Sequence, residues 1–478
     1  MKLTLHRTTR PFYNLRLDEK RMNDTFRMDI LEKILTLNLG VSQDDNRRAF
    51  ELLREIHPLR MREYPSGQEH NGWVVPHNWI VSRARISGDD GLLFDGTIHP
   101  MAVAGYSTSF TGTVSKEELD RHVYYNRDFP EAYAFHSTFN YRPWAKHWGF
   151  CIPYAEYRKW GGGTYKIELE TELTPGRMLV GECLHEGEHP ETVVFNAHTC
   201  HPCQANDDMA GCMVILELFK WLREQKTHYS YRAVLAPEHL GTVFYIAGLD
   251  AEELRRFKLG CFVEMPGSDT PLVLQKSFSG DTLIDRAAEH ILKESHPGCR
   301  VGSFRTIVGN DETVWEAPGI EIPMISISRF PYPQYHTSED NTGIISRTRL
   351  EETLELLKKM IGVFENDRMI RRNFEGLVAL SNPKYDLYVE RPEPNIRKRI
   401  TELDLKLGQL QDLLPRYFDG RLTIFQIADE FDIPFDTLRE WIGRFQEKNL
   451  VELSHPGSFD RYGSTTFSRR TPSRMWGY

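Results

Sequence analysis

From Met22 to Glu55, apolar and charged residues alternate at helical spacing, with Ile30, Ile34 and Leu35 and then Phe50 and Leu53 forming one face. Two amphipathic helices satisfy that period. Between about Trp73 and Pro175 the pattern becomes short runs (WVVPHNWIVSRARI, MAVAGYSTSF, GFCIPY, TYKIELETEL), rich in aromatics and broken by Gly, Pro and Asp. These runs predict a mostly antiparallel, inserted β-rich domain over 73–175. From 176 to 366, TVVFNAH, YRAVLA, GCFVE and IPMISIS read as buried strands. DMAGCMVILELFKWLREQ, TLIDRAAEHILKES and RTRLEETLELLKKMIGVF read as amphipathic helices. Strands alternating with helices predict an α/β layered sheet, built from 1–72 and 176–380, whose active groups gather at the carboxyl ends of the strands. Beyond the polar stretch NPKYDLYVERPEPN, the order TIFQIADEFDI, Pro434, FDTLREWIGRFQEKNL and VELS predicts a winged-helix domain over 395–478.

A chain of 478 residues is too long for one ordinary core, so two or three domains are expected. Its 40% hydrophobic and 27% charged content is that of a soluble globular protein. No apolar run approaches the roughly 18 residues of a membrane span, and MKLTLHRTTRPFYNL lacks the features of a signal peptide. Seven scattered cysteines do not form a disulfide framework, and a cytoplasmic location is expected. The net charge of −9 disfavours a general binder of nucleic acid or acidic membranes, while leaving room for a local basic patch.

The strongest chemical signal is NAHTCHPCQANDD, from Asn196 to Asp208. A buried strand delivers His198 and His201 at its carboxyl end, and Asp207 follows just before a helix. Imidazole and carboxylate are the ligands of a catalytic zinc that keeps an open position. Two plainer readings compete: Asn206 or Asp207 as a helix N-cap, and a thiolate-bearing structural zinc using Cys200 and Cys203, which lacks a nearby second cysteine pair. The second signal is YRAVLAPEHLG, where a strand ends in Glu238 and His239. A carboxylate there either moves protons for a metal-activated water or merely caps the next helix. Glu264 ends the strand of GCFVEMPG, and FPYPQYHTSEDN presents Tyr335 and His336, with Asp340 placed to orient the imidazole. Four strand ends, each followed by His, Asp or Glu, form a pattern that structural salt bridges do not require.

In order, AHTC, ANDDMAG, PEHLG, VEMPG and YHTSEDN resemble the motifs of the clan MH zinc aminopeptidase family, which includes bacterial leucyl aminopeptidases and glutaminyl cyclases. That resemblance covers roughly 20–70 and 176–366. It implies an α/β fold, a phosphorylase/hydrolase-like mixed sheet sandwiched by helices, with one or two Zn2+ ions. It further implies Asp207 as bridging carboxylate, Glu238 as general base, His336 as a ligand and His198 at the family's first histidine. Cys200 replaces an orienting Asp, so His201 competes with His198. His239 stands at a second-metal Glu, and Glu264 at an Asp ligand. WVVPHNWIVSRARI, GYSTSF, WGFCIP, GNDETVWEAPGIEIP and DGRLTIFQIADEFDIPFDTLREWI resemble a little-studied branch that carries an inserted β domain and a C-terminal winged helix. Asp208, Asp311 and Glu312 are expected in the pocket or the shell behind the ligands.

The expected activity is hydrolysis of a peptide or small amide by metal-activated water with Glu238 as base. The alternatives are an amidase or acyl-transfer enzyme acting on a non-peptide amide such as an amino-sugar conjugate, and a non-catalytic metal-binding regulator acting through the winged helix. Arg439, Arg444 and Lys448 face Asp436, Glu440 and Glu447 on the second helix of that domain. This balance favours a homo-oligomer or protein contact over DNA, although the tail FSRRTPSRMWGY is basic.

Overall fold

The computed structural model describes residues 26–136, 141–390 and 401–459. Eight strands make the central mixed sheet: β1 (Arg60–Pro65), β2 (Arg177–His185), β3 (Thr192–His198), β4 (Ser230–Ala236), β5 (Phe257–Val263), β6 (Val273–Gln275), β7 (Arg300–Gly302) and β8 (Met324–Ser328). Their spatial order is β1-β2-β4-β3-β5-β8-β6-β7. The middle four, β4-β3-β5-β8, are mutually parallel. Covered on both faces, β3 and β4 are buried at every position, which is why they read as unbroken apolar runs.

Alternate side chains of β3 feed two layers. Val193, Phe195 and Ala197 join the larger core with α1 (Met28–Ile34), α2 (Asp45–Leu53), α3 (Ala210–Leu222), α5 (Leu283–Ser295) and α6 (Arg347–Asn366). Val194 joins Val234, Phe262 and the apolar face of α4 (Leu240–Ala247) on the other side. Helix α2 lies directly on β2 because residue 181 is Gly: a Cβ there would sit 2.6 Å from the Phe50 ring. Helix α5 starts at a capping box, in which Thr282 and Asp285 satisfy each other's backbone amides.

The β-rich unit is spliced between β1 and β2, which are antiparallel neighbours. Strands Gly91–Asp95, Asn78–Gly88, Thr164–Thr174 and Phe110–Ser115 form, in that spatial order, an antiparallel sheet. Trp79, Phe94, Phe150, Ile167 and Leu169 give it a core of its own.

Near the C-terminus, Met369–Arg372 pairs antiparallel with both Asp419–Thr423 and Val451–Ser454. The sequence boundary at 380 places Met369–Arg372 with the α/β body. Its hydrogen bonds place it in this C-terminal sheet, because the chain runs into the strand almost directly after α6 ends at Asn366. Helices Ile424–Glu430 and Phe435–Glu447 follow, the first opened by a Thr423–Gln426 capping box. Segment 386–387 lies against the second: Trp441 Nε1 donates to the Leu387 carbonyl at 3.4 Å, and Arg444 donates to the Asp386 carbonyl. Contacts to the body include Arg286–Asp429 at 2.7 Å and the Phe459 amide donating to Glu191 at 2.8 Å. Residues 395–400 and the basic tail lie outside the described residues. No helix among the described residues is long and apolar enough to cross a membrane.

Phe219 on α3 is fully buried, with its ring edge-on to Phe195 of β3. Phe219→Ala removes a filled volume from between α3 and the sheet and is expected to lower unfolding free energy by about 3–5 kcal/mol in urea titrations.

Candidate metal centre

Since β4, β3, β5 and β8 are adjacent and parallel, their carboxyl ends share one edge of the sheet. His198 ends β3, Glu238 lies two residues beyond β4, Glu264 follows β5 and His336 lies on the loop after β8. Asp207, just before α3, is 2% exposed and meets three imidazoles. His198 Nε2 is 2.9 Å from its Oδ1, while His201 Nε2 and His336 Nε2 are 3.4 and 3.2 Å from its Oδ2. Burial opposes ionisation of Asp207, but the His198 imidazole, through its charge and its hydrogen bond, holds the pKa well below the usual carboxylate value. Burial likewise opposes charge on His198. The Cys200 sulfur, 3.4 Å from Nδ1, and Asp207 nevertheless raise that imidazole well above its ordinary value. The side chain of Asp207 thus faces the histidines and does not cap α3.

One nitrogen decides what this cluster can hold. His201 Nδ1 is 2.9 Å from the Pro202 carbonyl, which only accepts, so Nδ1 carries the proton and Nε2 presents a bare lone pair. That lone pair faces Asp207 Oδ2. Both atoms are buried without a hydrogen-bond partner. Two acceptors aimed at each other in the interior call for a cation between them. The ligand atoms of His201, Asp207 and His336 lie within 4.8 Å of one another, close enough to converge on one ion.

The other expected residues are placed differently. Glu264 is fully buried and its oxygens accept from Ser326 Oγ at 2.7 Å and Asn310 Nδ2 at 2.6 Å; it lies outside the converging group of His201, Asp207 and His336. Burial, reinforced by Glu312, pushes its pKa well above the ordinary carboxyl value. His239 lies outside the converging group, in a left-handed conformation (φ 54°), with Asp311 accepting from its amide at 2.5 Å and from Thr242 at 2.5 Å. Asp311 therefore fixes the turn that carries Glu238. Glu312 accepts from the Asn310 amide at 2.8 Å. Asp208 braces the frame, accepting backbone amides of His198, Gly211 and Met265 at 3.2, 3.1 and 3.0 Å. Asp340 does not orient the His336 ring. It accepts from the amides of Asn206 and Asp207 at 2.7 and 3.1 Å and from Tyr332 Oη at 2.7 Å, fixing the loop that presents Asp207. Tyr335 stacks on His336 with centroids 3.8 Å apart.

Sequence reasoning missed the contribution of the inserted unit. Phe135 stacks on His201, with centroids 4.2 Å apart, and meets His336 edge-on at 5.3 Å. Its amide donates to the His336 carbonyl at 2.8 Å. Tyr141 Oη reaches Glu238 Oε2 at 3.4 Å, and Trp73 stacks against His239. The aromatic density of YAFHSTFNYRPW was the available signal, but nothing local says which ring meets which loop. Asp340→Ala strips three buried donors of their acceptor and is expected to cost about 3 kcal/mol of stability. It should also weaken zinc binding by about 10- to 100-fold, read by thermal unfolding and chelator competition.

Residues 28–367 match the family model described as Domain of unknown function (DUF4910). A Clostridium acetobutylicum protein described as a "putative polysaccharide biosynthesis protein with aminopeptidase-like domain" is 24% identical over 343 residues, covering 71% of this chain and 78% of that one. The crystal structure of a "putative peptidase" from C. acetobutylicum superposes with a TM-score of 0.74 at 21% identity, over 91% of this chain and 99% of that one. A zinc aminopeptidase from Bacillus subtilis superposes with a TM-score of 0.53 at 15% identity, over 73% and 95%. At these identities the likeness is one of fold: a mixed eight-stranded sheet of the aminopeptidase-like kind, with small antiparallel sheets added. With more than two thirds of its length matched by the family model, the chain belongs to the DUF4910 family.

Proposed function

We propose that this protein is a zinc-dependent hydrolase of the aminopeptidase type that cleaves a peptide or amide bond with Glu238 as general base. The supporting observation is the buried pair of facing acceptors, His201 Nε2 and Asp207 Oδ2, with His336 beside them. An ion held by His201, Asp207 and His336, with His198 on the other carboxylate oxygen, would supply Lewis acidity and an acidified water. The histidine and carboxylate set also suits manganese or cobalt. Glu238 stands at the same sheet edge with its carboxylate a quarter exposed, free to take a proton and return it to a leaving amine. Tyr141 Oη and the Asp311-pinned turn hold that carboxylate in place. All seven cysteines are free thiols, which fits a reducing cytoplasm.

A second reading, an amidase acting on an amino-sugar conjugate, is favoured by the aromatic wall of Trp73, Phe135, Tyr141 and Tyr335 at the site. Planar rings stack on the apolar faces of sugars as readily as on side chains. The name of the C. acetobutylicum relative points the same way. We read the C-terminal unit as a winged helix used for protein or self contact. The exposed charges of helix Phe435–Glu447 and its C-cap are Asp436, Glu440, Arg444, Glu447 and Lys448, three carboxylates to two cations, with Arg439 paired to Asp436, a poor match for a phosphate backbone.

Elemental analysis of the purified full chain should find about one or two zinc ions, as the two-site chemistry of such centres allows. Asp207→Ala and His336→Ala should lose them, and metal-free wild type after zinc is offered would overturn the reading. Glu238→Gln should retain zinc while kcat on aminoacyl or amide substrates falls about 10²- to 10⁴-fold. Unchanged turnover in that variant would remove Glu238 as base.

A further inference from the structure

His201 lies on the loop after β3, which the Thr199 amide ties to the Ala236 carbonyl of β4 at 3.0 Å. His198 is different: it ends β3, its ring lies parallel to that of Phe262 of β5, and Cys200 engages its Nδ1. The His201 ring meets Asp207 Oδ2 at 3.4 Å and the edge of His336 at 5.4 Å, and two further contacts set its tautomer and cover its face. One is the Nδ1 proton on the Pro202 carbonyl, which sets the tautomer. The other is the face of Phe135, 4.2 Å away and inclined by 23°. Phe135 is half-buried, whereas His201 beneath it is 3% exposed, so Phe135 is the cover over His201.

Phe135 is itself held in register. The Ser338 amide donates to the Tyr133 carbonyl at 2.9 Å, the Phe135 amide donates to the His336 carbonyl at 2.8 Å, and Ala134 bridges Thr337. The inserted unit therefore zips onto the loop of one metal-facing histidine and lays a ring on the other. Removing that ring would uncover one face of the His201 imidazole, let it tilt within its remaining contacts and admit water to the bare Nε2.

We propose that Phe135 is the positioning residue that makes His201 a metal ligand, so that the inserted unit completes a site which the α/β body alone would leave short of one imidazole. This rests on the metal centre proposed above. Zinc affinity of the full chain, measured by competition with a chromophoric chelator, tests it in wild type, Phe135→Ala, Phe135→Leu, Phe135→Tyr, His201→Ala and the Phe135→Ala/His201→Ala pair.

Loss of the ring face should weaken zinc binding by about 10- to 100-fold, the usual effect of removing a support behind a metal ligand. Phe135→Tyr, which keeps the face, should stay near wild type. The double variant should bind no more weakly than His201→Ala, because the two changes remove one interaction. Phe135→Leu retains an apolar cover without a ring face and decides the case if the alanine variant loses its fold. Wild-type affinity in Phe135→Leu alongside lost affinity in His201→Ala would overturn the role of Phe135 and leave the metal centre standing. A wild-type chain that binds no zinc would overturn both.

Discussion

The carboxylate of Asp207, buried among three imidazoles, is the interaction around which the rest of the structure is arranged. An ionised carboxylate deep in a protein costs several kcal/mol unless positive charge answers it. Three more acids crowd the same region, and none of their described bonds comes from lysine or arginine. Asp208 takes backbone amides, Asp340 takes amides and a phenol, and Glu264 takes an amide and a hydroxyl. Burial pushes all three toward the protonated form. Asp207, held well below the usual carboxylate value, is the charge presented to whatever the histidines hold.

The fold supplies that arrangement in two stages. Parallel strands β4-β3-β5-β8 bring Glu238, His198, Glu264 and the His336 loop to one edge, and buried acids behind the loops fix their backbones. The inserted unit then closes over that edge from the side. Its entry and exit at two neighbouring antiparallel strands leave the body's hydrogen-bonded ladder unbroken. A large unit is thereby added without disturbing the sheet that carries the chemistry.

How far the sequence reveals this depends on how local each cause is. TVVFNAH, YRAVLA, GCFVE and IPMISIS are legible as strands because burial on both faces demands unbroken apolar runs, and their alternation with helices predicts parallel neighbours. The convergence of His201, Asp207 and His336 at one sheet edge follows from that. Asp340 shows where spacing misleads: four residues from His336 suggests a partner for its ring, yet the carboxylate turns back to the Asn206 and Asp207 amides across the site. Phe135, Tyr141 and Trp73 were illegible as site residues for a related reason. Their contacts join positions between 66 and 201 apart in the chain, and periodicity carries no information about such pairings. The strand Met369–Arg372 was likewise hidden, since four residues following a long helix give no sign of partners fifty and eighty positions away.

The segment laid across helix Phe435–Glu447 has a consequence for anything that approaches that helix. The Leu387 and Asp386 carbonyls occupy Trp441 and Arg444 from within the same chain. An incoming macromolecule that needs those two side chains competes with a tethered occupant whose effective concentration is on the order of millimolar. Weak encounters would be rejected without any like-charge repulsion, and a ligand that succeeded would leave 386–387 displaced. Occupancy of the helix would then be reported within the C-terminal unit, in the stretch that follows its strand Met369–Arg372.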